Sequence, residues 1–267
     1  MVPMSSSISS DNSVLRPRII ECPADAVHMT PLPGSGEAPI VWLIRVNATL
    51  PDLPGLATCL SQDEQRRAGR LRRDQERHQF QIGRGWLRIL LGRVLGLSPD
   101  QVHLCIGQFG KPFVCSPPEG ARIQFNVAHS GDVILLAFHQ CCEVGIDVEE
   151  ITDGQDWTTV ADQVFPPEQI RNWSHLSPAQ WTEEFFVAWT RKEAELKALG
   201  IGFAAEEVGR LDRSVQMFDL ELPSGYVGAL AVRSVPELCS GTATIAQKKS
   251  LGDLLTAETR DTVDSIM

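Results

Sequence analysis

The sequence predicts an α+β fold of two similar subdomains fused as a pseudo-dimer, each a small antiparallel sheet packed with a long helix. Three observations carry this. A strand, a long helical stretch and further strands occur in that order twice along the chain. The two runs are of similar size and meet near Gln140–Cys142. The second run opens, just past that join, on an apolar strand that also bears acidic residues, from Glu143 to Ile151. The expected divisions are a flexible N-terminal tail over 1–38, a first subdomain over 39–142, a second over 143–247 and a C-terminal tail over 248–267. No residue-level repeat relates the halves.

Composition bounds the function. The chain has 267 residues, 43% hydrophobic and 22% charged, enough for one large or two small globular domains. Its net charge of -10 argues against general nucleic-acid binding. The seven cysteines include no C-x-x-C pair, and this pattern predicts reduced thiols in a cytoplasmic protein. Met1 to Val14 lacks a cationic segment followed by an apolar core, so no secretion signal is expected. The longest apolar run, Val133 to Phe138, is too short to span a membrane.

The elements follow in order. Residues 1–38 are rich in Ser, Pro and Gly and show no apolar period. Ile40 to Val46 is a strand, ended by Pro51 to Gly55. Ser61 with Glu64 marks a helix cap, and a helical region runs from about Asp63 to Leu95 with Phe80, Leu87, Leu90, Leu91 and Leu95 on its apolar face. Val102 to Ile106 is a short strand, and Phe109-Gly110-Lys111-Pro112 turns into the next. Asn126, His129 and Ser130 gather polar groups at a strand–loop–strand junction, where Gly131 lets the backbone turn. Short helices are expected at Trp157–Val164 and Pro167–His175. A longer one runs from about Ala179 to Leu199 and ends at Gly200. Strands are expected at Val215–Leu220, Tyr226–Val232 and Thr242–Ala246.

Two stretches carry chemistry. On the strand Val144 to Val148, residues i and i+2 share a face, so Asp147 and Glu149 point the same way. Adjacent like charges repel unless a cation lies between them, and carboxylates suit Mg²⁺. On the second helix, Trp189, Glu193 and Lys197 fall on one face. The first helical region holds nine of the 24 basic residues, Arg66, Arg67, Arg70, Arg72, Arg73, Arg77, Arg84, Arg88 and Arg93. Most are expected on a solvated face balanced by Asp63, Glu64, Asp74 and Glu76; a minority are candidates to bind an anion, for which the planar guanidinium is suited.

Taken singly, each motif has a bland explanation: an exposed acidic face, a surface ion pair, a turn. Taken together and in this order, Gly110-Lys111-Pro112, Asn126 to Gly131, Gly145-Ile-Asp-Val-Glu149 and Trp189-Thr-Arg-Lys-Glu-Ala194 with Lys197 resemble the 4′-phosphopantetheinyl transferases, in the larger Sfp-type form with two fused halves. The resemblance covers roughly residues 40–235. It implies transfer of the phosphopantetheine arm of coenzyme A to a serine of an acyl or peptidyl carrier protein, leaving adenosine 3′,5′-bisphosphate. It implies that Asp147, Glu149 and Glu193 hold Mg²⁺, that Glu193 takes the serine proton, and that Lys197 stabilises or protonates the leaving group. Lys192 matches a phosphate-contacting lysine, and Lys111, His129 and Ser130 match positions that bind the nucleotide end. One departure stands out: Gln79 occupies a position where many members carry a basic residue, leaving Arg77 and Arg84 as candidates for that phosphate contact. A monomer with one site between its halves is expected, with neither nucleic acid nor membrane as partner.

Two other readings compete. A basic-helix module over Arg66 to Arg93 that binds RNA or an acidic protein accounts for the arginines but not the three carboxylates. Another Mg²⁺-dependent pyrophosphate-cleaving enzyme shares the metal logic but gives no reason for the full motif order.

Overall fold

The computed structural model describes residues 16–22, 37–107, 110–116, 122–152, 156–201 and 214–235. At its centre two sheets lie face to face. The first has the strand order β1 (Arg18–Cys22), β2 (Ile40–Arg45), β6 (Val133–His139), β5 (Gln124–Ser130). The second has the order β7 (Cys142–Glu150), β9 (Tyr226–Ser234), β8 (Val215–Asp219), antiparallel throughout. β6 is buried along its whole length. Its sequence is accordingly a continuous apolar run rather than an alternation.

Each face of the first sheet has its own core. Trp42, Ile44, Ile134 and Leu136 pack under α4 (Asp74–Leu95) with Ile82, Leu87 and Leu90. Val41, Leu43, Leu135 and Ala137 pack against Val144, Ile146, Val148 and Leu230 of the second sheet. The outer face of that sheet is covered by α7 (Pro178–Leu199) through the small side chains Ala194, Ala198, Ala229 and Ala231. The result is four layers, helix–sheet–sheet–helix. α4 and α7 are both 22 residues long, and each ends on a left-handed glycine, Gly96 and Gly200. Positive φ there costs glycine nothing and stops the helix cleanly.

Smaller elements fill the connections. α1 (Val46–Thr49) and α2 (Leu53–Thr58), joined by a 3₁₀ turn over Leu50–Asp52, occupy the stretch read as a strand break. Pro51 and Pro54 sit in first turns, where a missing N–H leaves no bond unmade. β3 (His103–Ile106) and β4 (Pro112–Ser116) form a hairpin. α5 (Thr158–Val164) and α6 (Pro167–Trp173) lie before α7. With it they enclose an aromatic cluster of Trp157, Phe165, Trp173, Trp181, Phe185 and Phe186. Among the described residues no helix is long and apolar enough to cross a membrane.

Four expectations need correction. The stretch assigned to an N-terminal tail contains β1, which pairs in parallel with β2 and buries Cys22; Ile19 and Ile20 reach the cores on opposite faces of the sheet. The helical region from Asp63 to Leu95 is two helices, α3 (Gln62–Arg70) and α4, with extended backbone at Leu71 and Arg73. The charges fit two sets of helix ends: Asp63 and Glu64 start α3 and Arg67 and Arg70 finish it, then Asp74 and Glu76 start α4. Asn126, His129 and Ser130 lie within β5, and the loop itself is only Gly131-Asp132. Cys105 and Cys115 form a disulfide across the β3–β4 hairpin, with Cα atoms 5.7 Å apart, where reduced thiols were expected. Antiparallel pairing brings together two cysteines whose spacing in the sequence resembles no framework. Phe109, the strand expected at Thr242–Ala246 and the C-terminal tail lie outside the described residues.

Candidate active site

The site begins with a glycine. On β7, Gly145, Asp147 and Glu149 face α7, while Val144, Ile146 and Val148 face the other sheet. A Cβ at Gly145 would collide with the backbone of Ala194 and Ala198, so the helix lies directly on the strand at this point. Opposite Gly145 and Asp147 on β9 stand Ala231 and Ala229, which keep the floor low. That close approach carries Glu193 and Lys197, one helical turn apart on α7, over Asp147.

Lys197 Nζ donates to Asp147 Oδ1 at 2.6 Å and stands 3.9 Å from Glu193 Oε2. Asp147 is only 5% exposed, and its second oxygen, Oδ2, is buried without a hydrogen-bond partner among the described residues. Burial pushes the Asp147 carboxyl above its usual range, and Lys197 pulls it partly back. Glu193 is raised by burial too, against the pull of Lys197. Glu149 is pushed up to about 7, by burial first and then by the charge of Asp147. Burial opposes the Lys197 charge, but Asp147, Glu193 and Glu149 outweigh it and hold the ammonium above its ordinary value. One cation is therefore set among three carboxylates that have lost part of their hydration.

The polar end of β5 supports this cluster. Ser130 Oγ donates to Glu149 Oε2 at 2.9 Å and accepts from the Glu150 amide at 3.0 Å. Asn126 Oδ1 accepts from the Ile146 amide at 2.9 Å and so ties the two sheets together beside Asp147. His129 keeps an open side to solvent at the end of β5. Its imidazole is held below its ordinary range by loss of water on its inner side and by the Lys197 charge. Gln79, buried on α4, donates to the Gly131 carbonyl at 2.7 Å. It clamps the turn after Ser130.

The remaining predicted residues are placed as follows. Lys111 Nζ donates to the carbonyls of Val144 at 2.9 Å and Lys197 at 2.7 Å, so it bridges β7 and the last turn of α7. Lys192 Nζ donates to the Val164 carbonyl at 2.7 Å and lies 5.8 Å from the centre of the Phe165 ring. Burial lowers its pKa. Arg77 pairs with Asp74 on the same helix. Arg84 lies 3.5 Å from Glu64, beside the Phe80 ring. Trp189 stacks with Phe185 in the aromatic cluster, 6.0 Å between ring centres. The structure thus brings Asp147, Glu149, Glu193, Lys197 and Ser130 together, with Lys111 behind them, and sets Lys192 and Arg77 on other contacts. Arg66, Arg73, Arg77, Arg84 and Arg88 all pair with acids of α3 and α4, which weakens the case for a free basic binding face. Tyr226, which sequence reasoning passed over, lies against this site; as the chain's one tyrosine it had composition as its only flag.

The donor set suits a divalent cation. Among the described residues no three His, Cys, Asp or Glu side chains stand gathered around one point as a finished cage. The fit rests instead on Asp147 Oδ2, a buried carboxylate oxygen with no hydrogen-bond partner among the described residues, with Glu149 and Glu193 close enough for the Asp147 charge to raise both. Oxygen donors of this kind suit Mg²⁺, which takes a few carboxylates and leaves its other positions to phosphate and water.

The class the structure defines is an α+β protein with a carboxylate–ammonium cluster at a strand–helix contact. Known proteins make the class specific. Residues 143–234 match the family model of the 4′-phosphopantetheinyl transferase superfamily, and residues 47–141 match that of the 4′-phosphopantetheinyl transferase N-terminal region. The 4′-phosphopantetheinyl transferase HetI of Nostoc sp. is 35% identical over 167 residues, 62% of this chain and 70% of that protein. The 4′-phosphopantetheinyl transferase of Bacillus subtilis is 27% identical over 64% of this chain and 75% of its own. AcpT of Salmonella typhimurium, also a 4′-phosphopantetheinyl transferase, is 38% identical over 43% of this chain and 58% of its own. The chain belongs to the 4′-phosphopantetheinyl transferase superfamily and is an enzyme of that type.

Proposed function

We infer that this enzyme transfers the 4′-phosphopantetheine group of coenzyme A to a serine of an apo acyl or peptidyl carrier protein, releasing adenosine 3′,5′-bisphosphate, with Mg²⁺. The observation that carries this reading is the Asp147–Lys197–Glu193 cluster, buried where the acidic strand meets α7. Asp147, Glu149 and Glu193 are the residues that would hold the ion. When bound, Mg²⁺ supplies positive charge to the pyrophosphate oxygens.

The chain's own residues do the rest. In the transfer, the serine oxygen forms a bond to the β-phosphorus as the bond from that phosphorus to the bridging oxygen breaks. The serine proton goes to Glu193, the carboxylate that α7 presents beside Lys197. Lys197, held positive by its carboxylate neighbours, faces the charge that grows on the leaving bisphosphate. Ser130 orients the Glu149 carboxylate. His129, exposed on β5 and within reach of the Lys197 charge, is suited to the nucleotide end of coenzyme A. Lys111 keeps the end of α7 on β7, and through that contact keeps Lys197 over Asp147. Lys192 and Arg84 are engaged by the Val164 carbonyl and by Glu64, available to phosphate only if these contacts exchange.

We read the chain as a pseudo-dimer of two subdomains, 39–142 and 143–247, acting as a monomer. Support comes from the equal length of α4 and α7, their matching glycine ends and the boundary between the two family matches. The test is incubation with coenzyme A, Mg²⁺ and an apo carrier protein, read by intact mass. Gain of one phosphopantetheine per carrier is the expected result. Absence of any gain across fatty-acid, polyketide and peptide carriers, with coenzyme A bound, would overturn the reading.

A further inference from the structure

Tyr226 opens β9 and stands opposite Glu150 of β7. Its hydroxyl accepts from the Asp132 amide at 2.9 Å and donates to Glu150 Oε1 at 3.2 Å. Asp132 and Gly131 form the turn between β5 and β6, and Gly131 has φ +53. A Cβ at Gly131 would run into the Glu150 carboxylate and the Tyr226 oxygen, so the turn is packed directly on both. The other side of the turn is held by the first half of the chain. Gln79 donates to the Gly131 carbonyl, the Val46 amide donates to the Asp132 carbonyl at 2.9 Å, and the Asn47 amide donates to Asp132 Oδ1 at 2.7 Å. Ser130 directly precedes this turn, and its hydroxyl is the donor to Glu149 Oε2.

We propose that Tyr226 is a positioning residue for Glu149: its hydroxyl locks the 130–132 turn, the turn fixes Ser130, and Ser130 selects the orientation of the Glu149 carboxylate. The inference rests on the reading of Glu149 as part of the active site. A carboxylate rotates easily about its terminal bond, so one fixed donor decides which oxygen turns toward Asp147 and Glu193. Without the phenol oxygen, the Asp132 amide loses its acceptor and Glu150, at the exposed end of β7, loses its donor. The turn then keeps its bonds from the first half and Ser130 keeps the Glu150 amide, but the Asp132 side of the turn is no longer tied to β9, so the placement of the Ser130 hydroxyl loosens. A shift of about 1 Å in a positioning group costs up to about a hundredfold in rate.

The experiment compares Tyr226→Phe, Ser130→Ala, the double variant and Glu149→Gln in the full chain. Two readouts are needed: transfer kinetics with an apo carrier protein, and retention of Mn²⁺ in the presence of coenzyme A, followed by the electron paramagnetic resonance of free Mn²⁺. Tyr226→Phe is expected to lower kcat about tenfold and to weaken Mn²⁺ retention by a similar factor, with the KM for the carrier protein unchanged. The double variant is expected to be no worse than Ser130→Ala, because the two groups act in series. If Tyr226→Phe melts earlier yet turns over and holds Mn²⁺ like the wild type, while Glu149→Gln is impaired, Tyr226 is structural only and the positioning role falls. Additive losses in the double variant would also overturn it. If Glu149→Gln itself keeps both wild-type turnover and Mn²⁺ retention, the reading of the site falls and the positioning role with it.

Discussion

The Lys197 ammonium lies 2.6 Å from Asp147 Oδ1, closer than the 3.9 Å to its own helix neighbour Glu193. The pair spans 50 residues of sequence and joins the acidic strand to α7. It is therefore a tertiary contact, and its energetics differ from those of a surface i,i+4 pair, worth less than about 0.5 kcal/mol. Removing the ammonium would leave Asp147 as an uncompensated carboxylate in a site that is 5% exposed. Lys197→Met is expected to destabilise the metal-free protein by about 2 kcal/mol, somewhat below the loss for a fully buried pair because the lysine is itself half-buried. Urea denaturation in chelator measures this, and a wild-type midpoint would show that the contact contributes nothing.

Acid should stabilise the metal-free site. Glu149 titrates at about 7 in the folded chain against 4.5 as its ordinary value. A folded pKa above the unfolded one means that the group's contribution is fully present below about 4.5 and is lost as pH rises through about 7. Asp147 and Glu193 are shifted in the same direction. In chelator, the melting temperature is therefore expected to fall from about pH 5.5 to about pH 8, and the fall should be shallower in Glu149→Gln. Added Mg²⁺ should restore more stability at the higher pH, where the carboxylates no longer hold protons. Parallel slopes for wild type and variant would remove Glu149 as the titrating group.

Gly145→Ala tests the close approach of α7. The new methyl would meet backbone atoms of Ala194 and Ala198, which cannot rotate away, so the helix must lift. Overpacking of this kind costs about 1–3 kcal/mol. Lifting α7 also draws Lys197 and Glu193 off Asp147, so transfer should fall further than the loss of stability explains. A variant as stable and as active as the wild type would mean that the strand–helix spacing is slack.

Much of this was legible in the sequence, for reasons that can be named. The period-two pattern of Val144, Ile146 and Val148 marked β7 and put Asp147 and Glu149 on one face. The Gly200 stop bounded the end of α7, and the helical period placed Glu193 with Lys197. What escaped was set by tertiary contact. Nothing local to Lys111 says that it crosses to the carbonyls of Val144 and Lys197, since those partners lie 33 and 86 residues away. β1 is five residues long and forms only because β2 offers it an open edge. The Cys105–Cys115 bond depends on hairpin pairing rather than on spacing. The expectation that most arginines of α3 and α4 are balanced by Asp63, Glu64, Asp74 and Glu76 holds for five of them, but that Glu64 alone takes up both Arg84 and Arg88 follows only from the packing of the two helices. The identity of Gln79 was noticed as a departure; its bond to Gly131 appears only once β5, β6 and α4 are assembled.

Lys111 separates two roles, nucleotide binding and joining of the halves. Its ammonium donates to two backbone carbonyls in the structure. Each charge-assisted bond of this kind contributes about 1.5–3 kcal/mol. Lys111→Met is expected to lower stability by about 2–4 kcal/mol and to weaken coenzyme A binding only in proportion to the movement of α7. Chemical denaturation and calorimetric titration with coenzyme A distinguish the roles. Wild-type stability with greatly weakened coenzyme A affinity would make Lys111 a nucleotide ligand and the carbonyl contacts incidental.

Glu193 and Lys197 share a helix face but should fail differently. Glu193 is assigned both the ion and the serine proton, so Glu193→Gln should lose turnover by about a hundredfold or more and raise the Mg²⁺ concentration needed for half-maximal rate. The amide keeps the size of the side chain and removes its ability to accept a proton, so packing on β7 should survive. Lys197 is assigned to the charge that develops as the bisphosphate departs, an interaction stronger in the transition state than in the bound substrate. Lys197→Ala should therefore lower kcat much more than it weakens coenzyme A binding. Its contact with Asp147 adds a complication that the geometry resolves. Asp147→Asn should restore the stability of Lys197→Ala, because no buried charge would remain to be compensated; the rate should stay low, because Asp147 is itself assigned to the ion. Transfer rate, coenzyme A affinity and urea midpoint, measured on Glu193→Gln, Lys197→Ala and the Asp147→Asn/Lys197→Ala double variant, check each of these. Wild-type turnover in both single variants would leave the cluster as a structural ion pair and would overturn the assignment of the active site to this strand–helix contact.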